Sequence, residues 1–234
     1  SPDAPLRGTV IHDVLEVFVN RGSWVDASQA KEALLNLSSE MLKDLVPWPA
    51  ARRMWQARVA RFADWFVAGE VKRQERLLYS KTEVWGEVAL PTLGFTLVGK
   101  ADRVDVLHDG ATHIYDYKTG KPPSKDQQLH FDKQLLLEVE MLRQGGFERL
   151  GARQVVGATY IGLGNDPEDT AAPMDETDVW AELSDLIRAY QDPEQGYSAR
   201  RAMLMADASS VYDHLARYGE WGTNQSALLI KVSK

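Results

Sequence analysis

Apolar residues in the first third of the chain recur every three or four positions, as they do on the buried face of an amphipathic helix. The first such run consists of Val10, Ile11, Val14, Leu15 and Phe18. The pattern predicts a helix here and two more at about residues 28–45 and 50–77. Pro47 and Pro49 end the second of these, because proline interrupts a helix.

The spacing changes to that of β-strands beyond residue 80. Residues 83–90, 95–107 and 111–118 are rich in β-branched and aromatic residues and are separated by short turns. A turn at Pro91–Gly94 joins the first two segments, and the Asp-Gly pair at 109–110 is a hairpin signal between the second and the third. The pattern therefore predicts three strands in meander order.

A helix is expected after the meander, at about residues 125–143, because Ser124 and Gln127 form a capping box at its start. The other predicted elements are a strand at 154–163, a polar loop at 164–175, and helices at about 176–189 and 208–218.

This order predicts an α/β fold with a core of helix, three-stranded meander, helix and strand, and with extra helices at both ends. We expect one domain over residues 1–234. It would have a helical N-terminal part (1–80), an α/β core (81–163) and a helical C-terminal part (164–234). The chain starts at Ser1 without an initiator methionine, so we interpret it as a piece of a longer polypeptide or as a processed chain.

Composition limits the chemistry that this chain can carry. The sequence contains no cysteine, which excludes disulfides, thiolate zinc sites and cysteine-ligated iron–sulfur clusters. Any metal must therefore bind to carboxylates, imidazoles or carbonyls, ligands that suit Mg²⁺, Mn²⁺ or Ca²⁺. The chain has no apolar run of membrane-spanning length, and its start lacks a signal-peptide pattern. We therefore expect a cytoplasmic protein with no membrane partner.

The formal net charge of -7 argues against a protein that binds nucleic acid through its overall charge. A local exception lies at residues 51–76, where seven basic and three acidic residues give a net charge of +4. Trp55, Phe62 and Trp65 are interleaved with these charges. The stretch fits either a groove that follows a nucleic-acid strand or the solvated face of a long helix.

Three polar residues in the second and third predicted strands form the candidate site. Asp116 follows Asp102 by 14 residues with the hairpin turn about midway, so the folded hairpin places the two carboxylates roughly opposite each other. Lys118 shares a face with Asp116, whereas Tyr115 and Tyr117 point to the other face. A divalent cation between the carboxylates could hold a water beside a phosphate, and the Lys118 ammonium would offset charge in the transition state.

These residues and their neighbours resemble the PD-(D/E)XK nuclease superfamily, and within it the RecB/AddB-type exonuclease domains. The finer resemblance is to the C-terminal nuclease domain of AddB proteins of the alphaproteobacterial type. The segments that carry it are Gly8–His12 (GTVIH), Gly99–Asp105 (GKADRVD), Asp116–Gly120 (DYKTG), Gln134–Glu138 (QLLLE) and Tyr212–Arg217 (YDHLAR). The resemblance implies a restriction-endonuclease-like core.

The resemblance also implies a role for each matching residue. The ligands of a Mg²⁺ or Mn²⁺ ion would be His12, Asp102, Asp116 and the backbone carbonyl of Tyr117. Lys118 would be the catalytic lysine beside Asp102 and Asp116, and Gln134 would contact the substrate backbone or orient Lys118. Basic residues near these motifs are candidate DNA contacts, namely Arg58, Arg61, Lys121 and Lys125.

The implied activity is metal-dependent hydrolysis of DNA by an exonuclease that acts on single strands or duplex ends in double-strand break repair and recombination. Such a domain works with a helicase or nuclease partner subunit, or with the missing part of its own polypeptide. The sequence departs from the family in two places. Its lack of cysteine leaves no ligands for the iron–sulfur cluster of many members, and Glu138 stands where many members have tyrosine.

Other interpretations of the same residues stay open. A catalytically inactive nuclease-like module could bind DNA or act as a scaffold, and an interaction module could act only through a protein partner. Asp102 could be a strand residue that pairs with Arg103 or Lys100 on the surface. Glu83 and Glu87 share a strand face, where two solvated side chains are favoured over a third acid in the site.

Overall fold

The structure, a computed structural model, describes residues 2–22, 24, 26–196, 213–214 and 220. The helices are α1 (Ala4–Arg21), α2 (Ala27–Leu45), α3 (Pro49–Gln74), α4 (Lys125–His130), α5 (Gln134–Arg143) and α6 (Val179–Gln191). The strands are β1 (Leu77–Leu90), β2 (Phe95–Leu107), β3 (Thr112–Lys118), β4 (Val155–Gly162) and β5 (Glu168–Ala171). The chain up to Val179 is one compact unit, and a second unit begins at Trp180. None of the described helices is long and apolar enough to cross a membrane.

The five strands form one sheet in the order β1-β2-β3-β4-β5. The pairs β1–β2, β2–β3 and β4–β5 are antiparallel, whereas β3 and β4 are parallel. A parallel pair needs a crossover connection, and here α4 and α5 provide it. The predicted core of helix, three-stranded meander, helix and strand is thereby confirmed.

The first three helices cover one face of the sheet. Tyr115, Tyr117 and Ile161 bury their side chains there against a cluster that includes Phe18 and Phe66, both almost fully buried. The alternation along β3 therefore directs its tyrosines towards the helices, as predicted, and its other side chains towards the opposite face.

The predicted single helix at 125–143 is wrong, because α4 and α5 divide this range. The predicted capping box of Ser124 and Gln127 is present at the start of α4. Phe131 leaves the helical region with φ -133 and ψ -55. The Tyr160 hydroxyl of β4 donates a hydrogen bond of 3.2 Å to the neighbouring Asp132 carboxylate. A contact with a strand distant in sequence thus stabilises the break.

The predicted loop at 164–175 is also wrong in part, because it contains β5. This strand, Glu-Asp-Thr-Ala, has no hydrophobic alternation and owes its conformation to its pairing with β4. The structure also begins β1 at Leu77, six residues before the predicted start, and ends α3 at Gln74. The helix predicted at 208–218 lies outside the described residues except for residues 213–214.

A group of buried charges holds α3 against the sheet. Arg103 is 0% exposed, and its Nε and Nη2 donate hydrogen bonds to Asp105 Oδ1 and Oδ2 at 2.7 and 2.9 Å. Its Nη1 donates to both carboxylate oxygens of Glu70 at 2.8 Å. Arg73 donates to the same carboxylate at 2.8 Å. Each charge has a partner of opposite sign, which is the condition under which burial of charges is tolerated.

Replacement of Arg103 by alanine is predicted to destabilise the fold strongly. Arg103→Ala leaves Asp105 and part of the Glu70 charge uncompensated in the interior, which costs about 3–5 kcal/mol. The measurement is the free energy of unfolding from denaturant titration. Arg143→Ala is the matched control, because Arg143 pairs with Glu140 nearer the surface and its loss should cost about 0–1 kcal/mol. Similar losses in the two variants would contradict the prediction.

Candidate active site

The site lies where the pairing between two strands stops. The ladder between β2 and β3 ends at Arg103 and Tyr115. The next pair, Asp102 and Asp116, would be opposite each other, as predicted. Instead of continuing the ladder, the Asp102 Oδ2 atom accepts a hydrogen bond of 2.8 Å from the backbone N–H of Tyr117. The end of the ladder therefore brings the Asp102 carboxylate to the backbone of β3.

The surface pair of Asp102 with Arg103 is wrong, because the guanidinium of Arg103 is buried with Glu70 and Asp105.

Gln134, the first residue of α5, links the other two predicted catalytic residues. Lys118 Nζ lies 3.0 Å from Asp116 Oδ2 as an ion pair outside good hydrogen-bond geometry, and it donates a hydrogen bond of 3.1 Å to Gln134 Oε1. Gln134 Nε2 donates a hydrogen bond of 2.7 Å to Asp116 Oδ1. A single amide group therefore positions both the carboxylate and the ammonium.

Burial and the neighbouring charges both shift the ionisation of these groups. Burial and the neighbouring Asp102 carboxylate raise the pKa of Asp116 to about 6, against the opposing effect of the Lys118 and His12 cations. Burial lowers the pKa of Lys118, but the Asp116 carboxylate outweighs it, and the Lys118 pKa is raised. A site that contains two close carboxylates and one ammonium is stabilised by a further cation.

His12 of α1 also lies in the site. Its Nδ1 atom is 3.5 Å from Asp102 Oδ2. Burial lowers the His12 pKa, but the Asp102 hydrogen bond, the nearby carboxylates and a hydrogen bond with the Tyr117 backbone outweigh it and leave the pKa raised. Because the last of these bonds favours the charged imidazole, its acceptor is the Tyr117 carbonyl. The structure thus brings together His12, Asp102 and the Tyr117 carbonyl, three of the four predicted ligand groups.

Glu83 of β1 is a further candidate ligand, although the strand pattern favours a solvated side chain at this position. One ligand atom each from His12, Glu83 and Asp102 lies within 4.8 Å of the other two. Glu83 has φ 51, in the left-handed region that glycine favours, and its carboxylate also pairs with Lys100. A strained non-glycine residue is a frequent feature of functional sites. The motif spacing could not reveal Glu83, because it lies outside the matched segments.

These residues fit a hard divalent cation. The donors are carboxylate oxygens, an imidazole and a backbone carbonyl, a set that suits Mg²⁺ or Mn²⁺. The buried Asp116 Oδ2 atom has no hydrogen bond among the described residues. A buried carboxylate oxygen without a donor is a position where a cation is stabilising. Two groups can therefore contribute ligands: the cluster of His12, Glu83 and Asp102, and the adjacent Asp116.

Glu138 lies one helical turn beyond Gln134, on the buried side of the site. Gln134 Nε2 donates a hydrogen bond of 3.1 Å to its Oε1 atom, whereas its buried Oε2 atom has no partner among the described residues. Burial and the Asp116 carboxylate raise the pKa of Glu138 to about 8. Glu138 is therefore protonated at neutral pH and adds no negative charge to the site.

The basic stretch at 51–76 divides between different surroundings. Arg58 Nη2 donates a hydrogen bond of 2.8 Å to the carbonyl of Thr119, the residue after Lys118, and Arg61 lies one helical turn further along α3. Arg58 is thus in contact with the end of β3, and Arg61 lies next to it along α3. The nucleic-acid groove with interleaved aromatic side chains is wrong for Trp55 and Phe62. Their side chains are buried in the helical core and cannot stack on bases.

The other two candidate DNA contacts follow the catalytic strand. Lys121 and Lys125 are exposed between the end of β3 and the first turn of α4. Lys125 Nζ lies 2.7 Å from a carboxylate oxygen of Glu176. Their place beside the site is compatible with contacts to phosphates, which stay a prediction.

Comparison with known proteins agrees with this geometry. Residues 1–218 match the family model described as the PD-(D/E)XK nuclease superfamily. The chain belongs to this superfamily. Members of this superfamily generally hydrolyse phosphodiester bonds and use divalent metal ions.

The chain is also similar to uncharacterized proteins of three Rickettsia species. The protein of Rickettsia bellii (strain RML369-C) is 27% identical over 143 residues, which cover 60% of this chain and 17% of the relative. That of Rickettsia felis (strain ATCC VR-1525 / URRWXCal2) is 27% identical over 168 residues, 67% and 19% of the two chains. That of Rickettsia conorii (strain ATCC VR-613 / Malish 7) is 27% identical over 149 residues, 61% and 18%. The chain spans less than a fifth of the length of these relatives.

Removal of the Glu83 carboxylate is predicted to weaken metal binding. Glu83→Gln should lower the affinity for Mn²⁺ by at least about tenfold, since even groups that only orient metal ligands change affinity by 10–100-fold. Isothermal titration calorimetry measures the effect. Glu87→Gln is the control, because Glu87 lies on the same strand and is exposed outside the metal-ligand cluster. Equal affinities of the two variants would exclude Glu83 as a ligand.

The raised pKa of Glu138 predicts a pH-dependent loss of stability in the metal-free protein. The folded protein keeps a proton on Glu138 up to about pH 8, while the unfolded chain loses it near the ordinary glutamate pKa of 4.5. The free energy of unfolding contributed by this group therefore falls as pH rises between these values, by at most about 1.4 kcal/mol per pH unit. Glu138→Gln should remove this dependence.

The measurement is denaturant unfolding of both proteins from pH 5 to 8 in the presence of EDTA. The difference in stability between Glu138→Gln and the wild type should move in favour of the variant as pH rises. A difference that stays constant over this range would contradict a raised pKa.

Proposed function

We propose that this chain is the nuclease domain of a RecB/AddB-type enzyme that degrades DNA with Mg²⁺ or Mn²⁺, as an exonuclease in double-strand break repair and recombination. In the longer protein to which such a domain belongs, a helicase or nuclease partner would deliver single strands or duplex ends. This role also leads us to propose a cytoplasmic location for the protein.

One observation carries the proposal. Asp102, Asp116 and Lys118 come together where the β2–β3 ladder opens, and Gln134 holds the last two within hydrogen-bond distance. A module that only binds DNA or serves as a scaffold has no need of an ammonium beside a carboxylate pair. The complete set therefore favours hydrolysis over the inactive alternatives.

The geometry gives each side chain a task in phosphodiester hydrolysis. His12, Glu83, Asp102 and Asp116, with the Tyr117 carbonyl, would hold the cation. When bound, the cation neutralises charge on the phosphate and lowers the pKa of water. The Lys118 ammonium faces the same space and stabilises negative charge that develops on the phosphoryl oxygens. Gln134 keeps Lys118 oriented towards Asp116, which limits the reorganisation needed during reaction.

The acidic net charge is compatible with DNA as the substrate. Arg58 contacts Thr119 just after the end of β3, Arg61 lies one helical turn further along α3, and Lys121 follows β3 in the chain, so basic residues lie close to this end of the strand. The relatives are more than five times longer than the matched part, so other regions of such a protein can supply affinity for DNA.

Loss of Lys118 is predicted to abolish DNA cleavage while the fold is kept. With Mn²⁺ and linear single-stranded DNA, Lys118→Ala and Asp116→Asn should each lower the cleavage rate by at least about 100-fold, the usual effect of removing one electrostatic stabiliser. Lys31→Ala is the control, because Lys31 is a lysine of α2 that pairs with Asp64. Gel analysis of labelled DNA gives the rates.

Two outcomes decide between the proposed functions. Negligible cleavage by the wild type and Lys118→Ala alike, with DNA still bound, would favour the inactive binding module. A circular single strand should stay intact while the linear one is degraded, because an exonuclease needs an end. Cleavage of the circle would contradict exonuclease action.

A further inference from the structure

A basic pocket lies between α1 and α3, next to the site described above. It has a volume of about 350 Å³ and is lined by Arg7, Met54, Trp55, Ala57, Arg58 and Arg61. Three of these six residues are cations and none is acidic. Burial, followed by the positive charges of Arg7 and Arg61, lowers the pKa of Arg58. Like charges held together without a counter-charge make the pocket favourable for an anion.

The hydrogen-bonding groups of the arginines point to the same conclusion. The Nε atoms of Arg7 and Arg58 are buried, and neither has an acceptor among the described residues. A buried N–H without an acceptor is costly, so such a group usually has a partner in the functional state. Guanidinium groups bind phosphate oxygens with good geometry.

The pocket is connected to the catalytic strand. Arg58 Nη2 donates a hydrogen bond of 2.8 Å to the carbonyl of Thr119, directly after Lys118. Arg7 precedes His12 by five residues on the same helix, which corresponds to about 7.5 Å along its axis. A strand bound at the catalytic residues therefore passes within reach of the pocket.

Gly8 adds an independent observation. It lies in the interior of α1, one turn before His12 and on the same side of the helix. Glycine destabilises a helix interior relative to alanine. A Cβ atom at Gly8 would meet no atom of the described residues within 4 Å, and the backbone conformation there does not require glycine. The part of the chain that the structure describes gives no reason for glycine here, whereas a ligand that passes close to the helix would.

We propose that the arginine pocket binds a phosphate of the substrate other than the one cleaved, and that the substrate strand reaches it across Gly8. This inference rests on the proposed function for its substrate class. The phosphate is either an internal linkage or a terminal phosphate of the strand. The pocket would set the distance between the cleaved bond and the bound phosphate, because Arg7 of the pocket and His12 of the site lie on the same helix.

The test compares Arg61→Gln with Arg53→Gln in an Asp116→Asn background with Ca²⁺. Both substitutions remove one exposed charge from α3, but Arg53 does not line the pocket. The probe is a single-stranded oligonucleotide with one neutral methylphosphonate linkage, moved one position at a time. A second set carries or lacks a 5′- or 3′-terminal phosphate, and fluorescence anisotropy gives the affinities.

One position should stand out in the protein that keeps Arg61. Neutralising this phosphate should weaken binding about tenfold, the effect of losing one charge-assisted hydrogen bond. The loss should disappear in Arg61→Gln and persist in Arg53→Gln. A sensitive internal linkage identifies a backbone phosphate, and a sensitive end identifies a terminal one. Equal position profiles for the two variants would overturn the inference and leave the nuclease proposal intact.

If no DNA binds, a metal-free measurement tests the arginine pocket separately from the nuclease function. Inorganic pyrophosphate is titrated calorimetrically into the EDTA-treated wild type, Arg61→Gln and Arg53→Gln. The pocket predicts weaker binding only for Arg61→Gln, whether or not the protein is a nuclease. Equal binding by the three proteins, or none, would overturn the inference.

Gly8→Ala tests the path of the strand. The substitution should raise the thermal unfolding midpoint, because alanine favours the helix, and should weaken binding of the oligonucleotide. A purely structural role for Gly8 would move stability and affinity in the same direction. A more stable variant with unchanged affinity would exclude the path across Gly8.

Discussion

The end of the ladder between β2 and β3 is the constraint on which the site depends. Up to Arg103 and Tyr115 the two strands pair, and the buried charges of Arg103 fix β2 against α3. Beyond this pair, the Asp102 carboxylate accepts the Tyr117 N–H. A backbone hydrogen bond that would otherwise stabilise the sheet thus holds an acid in the site instead.

Charged residues have different surroundings on the two faces of these strands. On the helix side, Arg103 and its acidic partners are fully buried and mutually paired. On the site side, Asp116 has a raised pKa and one carboxylate oxygen without a hydrogen bond. The buried network holds β2 against α3, whereas Asp116 Oδ2, which forms an ion pair with Lys118 but no hydrogen bond, can also coordinate a cation. The residues that stabilise these strands are therefore adjacent in sequence to the residues of the candidate site.

Membership of the nuclease superfamily and the geometry of the site support each other, but they rest on different residues. Family membership extends over residues 1–218, whereas the chemistry depends on a few side chains at the open end of one ladder. Glu83 and Glu138 border that site, although neither is among the catalytic or metal-binding residues that the sequence predicts. One has a strained backbone beside the metal cluster, and the other is a neutral acid behind Gln134.

The sequence alone determined the strand alternation, the hairpin turn and the spacing of Asp102, Asp116 and Lys118, because these depend on contacts between near neighbours in the chain. It also determined the capping box that starts α4. Only the tertiary structure decided the break between α4 and α5, the polar strand β5 and the approach of Glu83 to His12. Each of these depends on a partner distant in sequence. The break depends on Tyr160, the strand β5 depends on β4, and the approach of Glu83 to His12 depends on the packing of α1 beside the hairpin. Local pattern carries no information about such partners, since their contacts form only when the elements pack.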